Sequence, residues 1–239
     1  MYSSNTKIKN ILIVAAAGFG KRMKLPYPKQ FLKYDEKPLF LHSLLVGEKS
    51  EKIHAMLVIT QRENIDKIRE VCEANNIKKV YDVIEGGKER QESVYNGIKA
   101  IENIKNLDKN PIILVQDSVR PFFKEKYITD SIEELENNDK ISGVIVGLPV
   151  KDTIKIVDDQ GMITSTPVRK SLMAANTPQV FYYKVLKSAY ENAENTNFMG
   201  TDDSSLVENI GGKVKVIMGD YDNIKITTPE DLEFIKKTK

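Results

Sequence analysis

The chain has 239 residues, 41% of them hydrophobic, which is enough for one large core in a single α/β domain. Its formal net charge of +2 excludes a bulk preference for polyanions, so a nucleic-acid partner is not indicated. The single cysteine, Cys72, excludes an intramolecular disulfide framework and points to a reducing cytoplasm, and no apolar run is long enough to span a membrane or act as a full signal sequence.

The first predicted strand covers residues 11–15, where Ile11, Leu12, Ile13 and Val14 form a β-branched run ending in small residues. The loop that follows reads Ala15-Ala16-Ala17-Gly18-Phe19-Gly20-Lys21-Arg22-Met23, with Pro28-Lys29-Gln30 close behind. Small residues let a phosphate reach backbone N–H groups, and Lys21, Arg22 and Lys29 supply positive charge around it. A Walker A loop needs Ser or Thr after Gly-Lys, but Arg22 follows Lys21. A dinucleotide fingerprint needs a third glycine where Met23 stands. The loop therefore reads as a triphosphate site of another type, against the bland alternative of a tight turn with solvated cations.

Further predicted strands cover residues 55–60, 79–84, 112–115, 143–148 and 213–218. Between them lie helical stripes: Ile65, Ile68, Val71 and Cys72; Val94, Ile98 and Ile101; Ile128, Ile132 and Leu135. This alternation predicts a mostly parallel sheet covered by helices on both faces, with ligands beyond the carboxyl ends of its strands. The loops after Val14, Ile84 and Val115 then share one mouth. Residues 151–170 break the rhythm. The alternating run Thr153-Ile154-Lys155-Ile156-Val157 and the turn Asp158-Asp159-Gln160-Gly161 predict an inserted β-hairpin. Such an arm either packs on a second subunit or stands as a surface ribbon. The predicted organisation is one domain over 1–239 with a dimerisation arm at about 149–170.

Polar clusters fall at the predicted strand ends. Gly86-Gly87-Lys88-Glu89-Arg90-Gln91-Glu92-Ser93 is a strand-to-helix turn that either reads a base edge or merely carries an acid at a helix start. In Gln116-Asp117-Ser118-Val119-Arg120-Pro121, the Asp117 carboxylate suits Mg²⁺, with a helix cap as the alternative. Thr201 or Asp202 is placed to cap a helix carrying Leu206 and Ile210. Thr228-Pro229-Glu230-Asp231 is a helix start, and Lys225 just upstream is not needed for it. Asp222 is either a turn residue or a second metal ligand. His42 and His54 are too few and too isolated for a metal site or catalytic dyad, and no Gly-x-Ser-x-Gly elbow points to covalent catalysis.

Taken in order, these clusters resemble the 2-C-methyl-D-erythritol 4-phosphate cytidylyltransferases over nearly the whole chain. The matching segments are Ala-Ala-Gly-Phe-Gly-Lys-Arg-Met, Pro-Lys-Gln, Gly-Gly-x-Glu-Arg-x-x-Ser-Val, Asp-x-x-Arg-Pro, Pro-Val-x-Asp-Thr-Ile-Lys, Thr-Pro-Gln-x-Phe, Thr-Asp-Asp-x-Ser and Asn-Ile-Lys-Ile-Thr-Thr-Pro-Glu-Asp-Leu. The resemblance implies a Rossmann-like nucleotidyltransferase fold and a homodimer built through the arm. It implies an enzyme that joins CTP to methylerythritol phosphate, releasing pyrophosphate, in the non-mevalonate route to isoprenoids. It also implies roles: Ala16, Ala17, Gly18 and Gly20 at the CTP phosphates, Arg22 and Lys29 as transition-state stabilisers, Gly87 and Ser93 at cytosine and ribose, and Asp117 on Mg²⁺. Thr153, Arg169 and Lys225 match residues that grip the sugar phosphate, the first two borrowed from the partner subunit. Three positions depart from the usual pattern: Gln116 stands where the family usually has His, Lys88 where Asp is common, and no Trp precedes Thr177-Pro178-Gln179. The rival readings are a ribitol-5-phosphate cytidylyltransferase, which shares most motifs, and a catalytically silent nucleotide-binding module.

Overall fold

The computed structural model describes residues 7–18, 23 and 27–237, with backbone only at Phe234, Lys236 and Lys237. The chain begins with β1 (Ile8–Ala15), a small hairpin of β2 (Lys33–Tyr34) and β3 (Lys37–Pro38), and α1 (Leu39–Lys49). It continues through β4 (Ala55–Thr60), α2 (Ile65–Ala74), β5 (Val80–Glu85), α3 (Arg90–Ala100), β6 (Leu107–Asp117), α4 (Glu125–Glu136) and β7 (Gly143–Pro149). The arm carries β8 (Ile156–Val157) and β9 (Ile163–Ser165). After it come β10 (Met173–Tyr182), α5 (Tyr183–Thr196), α6 (Asp203–Asn209), β11 (Val214–Met218) and α7 (Pro229–Lys237).

The central sheet has seven strands in the order β11-β7-β10-β6-β1-β4-β5. Neighbours are parallel except at β10, which runs antiparallel to both β6 and β7. Chain order moves outward from β1 to β4 and β5, then returns to place β6 on the other side of β1. The crevice between β1 and β6 is thus a topological switch point, the place where open α/β sheets bind ligands.

Alternation along the strands sends side chains to two cores. Leu12, Val14, Met56, Val58 and Leu114 meet Phe40 and Leu44 of α1, Ile68 of α2 and Ile128 and Ile132 of α4. Ile11, Ile13, Leu57, Ile59 and Val115 meet Val94 and Ile98 of α3, Leu186 and Tyr190 of α5 and Leu206 of α6. Cys72 is a buried free thiol in the first core, its pKa pushed up to about 11 by burial and then by Glu48 and Glu73. A smaller cluster of Met23, Leu32, Leu39, Val119, Ile226 and Ile235 ties α7 to the loops after β1 and β6.

The expected strands and helical stripes are present, with ends shifted by a few residues. The small β2–β3 hairpin, α1, α5 and β10 are not anticipated by the sequence reading. In β10, Asn176, Thr177 and Gln179 are buried polar residues, so its pattern is neither an apolar run nor a clean alternation. Their hydrogen bonds, described below, make that burial tolerable. Among the described residues, no helix is long and apolar enough to cross a membrane.

Candidate active site

The carboxyl end of β1 leads directly into the site. The Ala16 N–H donates to the Ile59 carbonyl at 2.7 Å, and the Ala16 carbonyl accepts from Gln30 Nε2 at 2.6 Å. Ala16 is therefore pinned beneath the surface, while Ala17 and Gly18 line a cleft of about 640 Å³. Gln30 is itself buried, so Pro28-Lys29-Gln30 works as an anchor that delivers Lys29 to the cleft wall. The Lys29 ammonium donates to the Ile226 carbonyl at 3.1 Å. Gly20, Lys21 and Arg22 lie outside the described residues.

The turn after β5 forms the next wall. A Cβ on Gly86 would stand 2.6 Å from Ala17 Cβ and 2.8 Å from Ser93 Oγ, so only glycine lets the two loops touch here. Ser93 Oγ accepts the Gly87 N–H at 3.0 Å and donates to the Glu89 carbonyl at 2.9 Å. Glu92 accepts the Lys88 N–H at 2.7 Å. Much of the Gly-Gly-x-Glu-Arg-x-x-Ser pattern thus builds the turn itself. Gly87, Lys88 and Ser93 all line the cleft.

Asp117, at the end of β6, faces this wall. Its Oδ2 lies 2.8 Å from Lys225 Nζ and 3.6 Å from Arg120 Nε, and its Oδ1 lies 3.5 Å from Arg90 Nε. Burial by itself would raise the Asp117 pKa, but Lys225, Arg90 and Arg120 together hold it well below the usual carboxylate range. Asp117 is thus ionised at any physiological pH. Arg120 is held from behind, donating from Nη1 to the Asn223 carbonyl at 2.8 Å.

Lys225 reaches Asp117 because the segment before α7 is sewn to the core. The Ile226 N–H donates to the Val119 carbonyl at 2.9 Å. Asn223 Nδ2 donates to Asn176 Oδ1 and to the Thr177 carbonyl, both at 3.2 Å. Thr177 Oγ1 in turn accepts the Asp117 N–H at 3.3 Å. At the far end, Asp231 accepts the Thr227 and Thr228 N–H groups at 2.8 and 2.9 Å, starting α7. The Asn-Ile-Lys-Ile-Thr-Thr-Pro-Glu-Asp segment is one clamp: it sets Lys225 and Arg120 against the Asp117 carboxylate, and its Ile226 carbonyl holds the Lys29 ammonium.

Ala17, Gly18, Lys29, Gly87, Ser93, Asp117 and Lys225 therefore meet in one cleft, and the loops after β1, β5 and β6 share a mouth as expected. Thr153 and Arg169 are exposed on the arm and do not line it. The Arg169 guanidinium donates to the Lys151 carbonyl at 3.0 Å. The arm exposes Ile156, Val157, Met162 and Ile163, the last two at 65% and 62%. Asp222 pairs with Lys124 at 2.7 Å on the surface, as a structural residue. Asp202, not Thr201, caps α6 and accepts the Ser205 N–H at 2.9 Å. His42 donates from Nε2 to the Tyr34 carbonyl at 2.9 Å and does not line the cleft. Gln116 is fully buried, with its Nε2 3.2 Å from the Asp117 carbonyl.

Residue-type reasoning assigned no role to Arg90, Arg120, Asn176, Asp203 or Asn223, although all but Asn176 lie inside motifs that it singled out. Their signal is chemical: charged and amide residues next to buried strands need partners.

An open α/β sheet with a pinned small-residue loop at its switch point and a cation-lined cleft around one ionised carboxylate defines a nucleotidyltransferase-type enzyme. The family model of 2-C-methyl-D-erythritol 4-phosphate cytidylyltransferase (IspD) matches residues 10–237. A protein of that name from Fusobacterium nucleatum is 48% identical over 239 residues, covering 99% of this chain and all of the relative. One from Clostridioides difficile is 44% identical, covering 95% of this chain and 92% of the relative. The crystal structure of 4-diphosphocytidyl-2C-methyl-D-erythritol synthase from Anaerococcus prevotii superposes with a TM-score of 0.83 at 30% identity, covering 97% of this chain and 96% of that one. The chain belongs to the 2-C-methyl-D-erythritol 4-phosphate cytidylyltransferase family. These relatives support the methylerythritol reading over the ribitol and silent-module readings.

Proposed function

We propose that the cleft joins CTP to 2-C-methyl-D-erythritol 4-phosphate, giving the CDP-linked methylerythritol and pyrophosphate. The observation that carries this reading is the convergence of Lys29, Lys225 and Arg90 on one cleft beside Ala17 and Gly18. Two polyanions must meet for this reaction, and cations from separate elements are what such a meeting requires. A phosphate oxygen of the sugar phosphate attacks the α-phosphorus of CTP. The new P–O bond forms as the bond to the β-phosphate oxygen breaks, and pyrophosphate leaves. The nucleophile is already ionised at neutral pH, so no strong base is needed.

In this reading Ala17, Gly18 and Gly20 meet the triphosphate through backbone N–H groups. Ala16, whose N–H is spent on Ile59, anchors the loop instead. Lys29 and Arg22 stabilise charge that grows on the equatorial and leaving oxygens. Gly87 and Ser93 face base and ribose, and Lys225 meets the sugar phosphate. Asp117 fits the role of magnesium ligand: it is ionised and lines the cleft. Among the described residues no cluster of His, Cys, Asp or Glu offers a complete cage. That suits Mg²⁺, which takes one or two carboxylates together with substrate phosphates and water. When bound, the ion neutralises triphosphate charge.

Thr153 and Arg169 stand on an arm whose exposed apolar residues call for a covering surface. We assign them to the sugar-phosphate pocket of a second subunit, making the active unit a homodimer. In this reading one domain spans the chain and carries the arm at about 149–170. A buried, reduced Cys72 is consistent with the cytoplasm.

The test is incubation of the purified protein with CTP, Mg²⁺ and either methylerythritol phosphate or ribitol phosphate. Pyrophosphate and a CDP-linked product from methylerythritol phosphate are expected. Preference for ribitol phosphate, or no transfer to either, overturns the reading.

A further inference from the structure

We propose that Asp203 and Tyr190 are positioning residues that act through Arg90 to keep the Asp117 carboxylate open to the cleft. This rests on the cytidylyl-transfer reading above.

Arg90 has two partners. Its Nη1 and Nη2 donate to Asp203 Oδ1 and Oδ2 at 3.0 and 2.7 Å, while its Nε edge stands 3.5 Å from Asp117 Oδ1. Asp203 is completely buried, and its Oδ1 also accepts the Tyr190 hydroxyl hydrogen. A guanidinium donates in a fixed planar fork. With one N–H of each Nη committed to Asp203, the Nη1–Nη2 face of the fork is fixed there and Arg90 turns its Nε side to Asp117. The Asp117 oxygens then face Lys225, Arg120 and whatever enters the cleft.

Asp203 is not needed to start its helix. Asp202 already accepts the Ser205 N–H at 2.9 Å and Ser205 Oγ accepts the Asp202 N–H at 3.3 Å, closing a capping box. Gln179 ties that helix end to β10 by accepting the Ser204 N–H at 2.9 Å and donating to Asp202 at 2.8 Å. Nor is a buried ion pair an efficient source of stability, because desolvation offsets its attraction. What the pair does supply is orientation. Without the Asp203 charge, Arg90 has Asp117 as its remaining carboxylate partner. Its fork then closes on both Asp117 oxygens and competes with the groups in the cleft.

The experiment is a double-mutant cycle on the full chain with Asp203→Asn, Arg90→Gln and the pair, read as kcat and KM for CTP, alongside a crystal structure of Asp203→Asn. Asp203→Asn is expected to lower kcat about 10- to 100-fold, in line with other residues that orient a ligand from behind, with little change in KM. In the Arg90→Gln background the same change is expected to cost less than about twofold, since contacting residues are non-additive. In the crystal the Arg90 fork is expected on Asp117. Additive losses, an effect confined to KM, or an unmoved guanidinium each overturn the proposal. Should Asp203→Asn fail to fold, Tyr190→Phe decides. It keeps the ion pair, removes one hydrogen bond to a charged group and is expected to lower kcat about 3- to 10-fold; unchanged kcat overturns the proposal. A wild-type protein that makes no CDP product sinks the functional reading alone, because the position of Arg90 in the crystal still answers the question asked here.

Discussion

Lys225 Nζ and Asp117 Oδ2 lie 2.8 Å apart at the cleft, although they come from the last loop and the central strand of the fold. Lys225 is held there by the bonds of its neighbours Asn223 and Ile226 to the core. Asp117 is therefore kept charged by a residue that also faces the substrate side.

This arrangement has a definite pH signature. The Asp117 pKa is lowered on folding because Lys225, Arg90 and Arg120 outweigh burial. A lowered carboxylate pKa contributes stability that is complete above the unfolded value of about 3.9 and is lost as pH falls through the lower folded value. Asp117→Asn breaks a buried ion cluster from one side and is expected to cost about 3–5 kcal/mol. The difference in Tm between wild type and Asp117→Asn should stay constant from about pH 5 to 8 and shrink only below about pH 4. A difference that closes between pH 5 and 7 contradicts the assigned environment.

Lys29→Ala and Arg22→Ala should each lose at least about a hundredfold in turnover, equivalent to about 2.7 kcal/mol or more of transition-state stabilisation. Both variants should fold, with unchanged far-UV circular dichroism. Turnover within a few-fold of wild type removes either residue from the catalytic role.

Gly86→Ala tests the contact between the phosphate loop and the turn after β5. The added Cβ meets Ala17 and Ser93 at 2.6 and 2.8 Å. Overpacking of this kind is expected to cost about 1–3 kcal/mol of stability. Calorimetry should record the lower Tm, and a raised KM for CTP should accompany it as the loops are pushed apart.

The arm makes a prediction about sharing of residues between subunits. Lys29→Ala carries a damaged cleft and an intact arm; Arg169→Ala carries the reverse. If arms serve the partner's cleft, random mixing after mild dissociation should restore about one quarter of wild-type sites, because half the dimers are mixed and each has one complete site. Mixtures that show only the sum of the two separate activities exclude sharing. Replacing Met162 and Ile163 by Asp should yield monomers in analytical ultracentrifugation.

Much of the fold was legible in the chain because strand and helix periodicities are local. The runs at Ile11–Val14 and the stripe at Ile128, Ile132 and Leu135 announce themselves within a few residues. The hairpin turn at Asp158–Gly161 is equally local: Asp158 Oδ1 accepts the Gln160 and Met162 N–H groups at 3.0 and 2.9 Å, and Gly161 takes a φ of +81°. β10 escaped because Asn176, Thr177 and Gln179 face the interior, and their partners Asn223, Asp117 and Asp202 lie far away in sequence. Arg90 carried no visible role for the same reason: its carboxylate partner Asp203 is 113 positions along the chain.

By itself, then, the sequence determined the α/β class, the small-residue loop beside Lys29, the arm and the family, since each is written in short contiguous patterns. Only the tertiary structure decided that Ala16 is pinned rather than presented, that Asp222 belongs to a surface pair, and that Asp117 sits among Lys225, Arg90 and Arg120. The physical reason is range. Periodicity and capping act over a few residues, whereas the charge state and orientation of a buried side chain depend on groups that the fold brings together from distant parts of the chain.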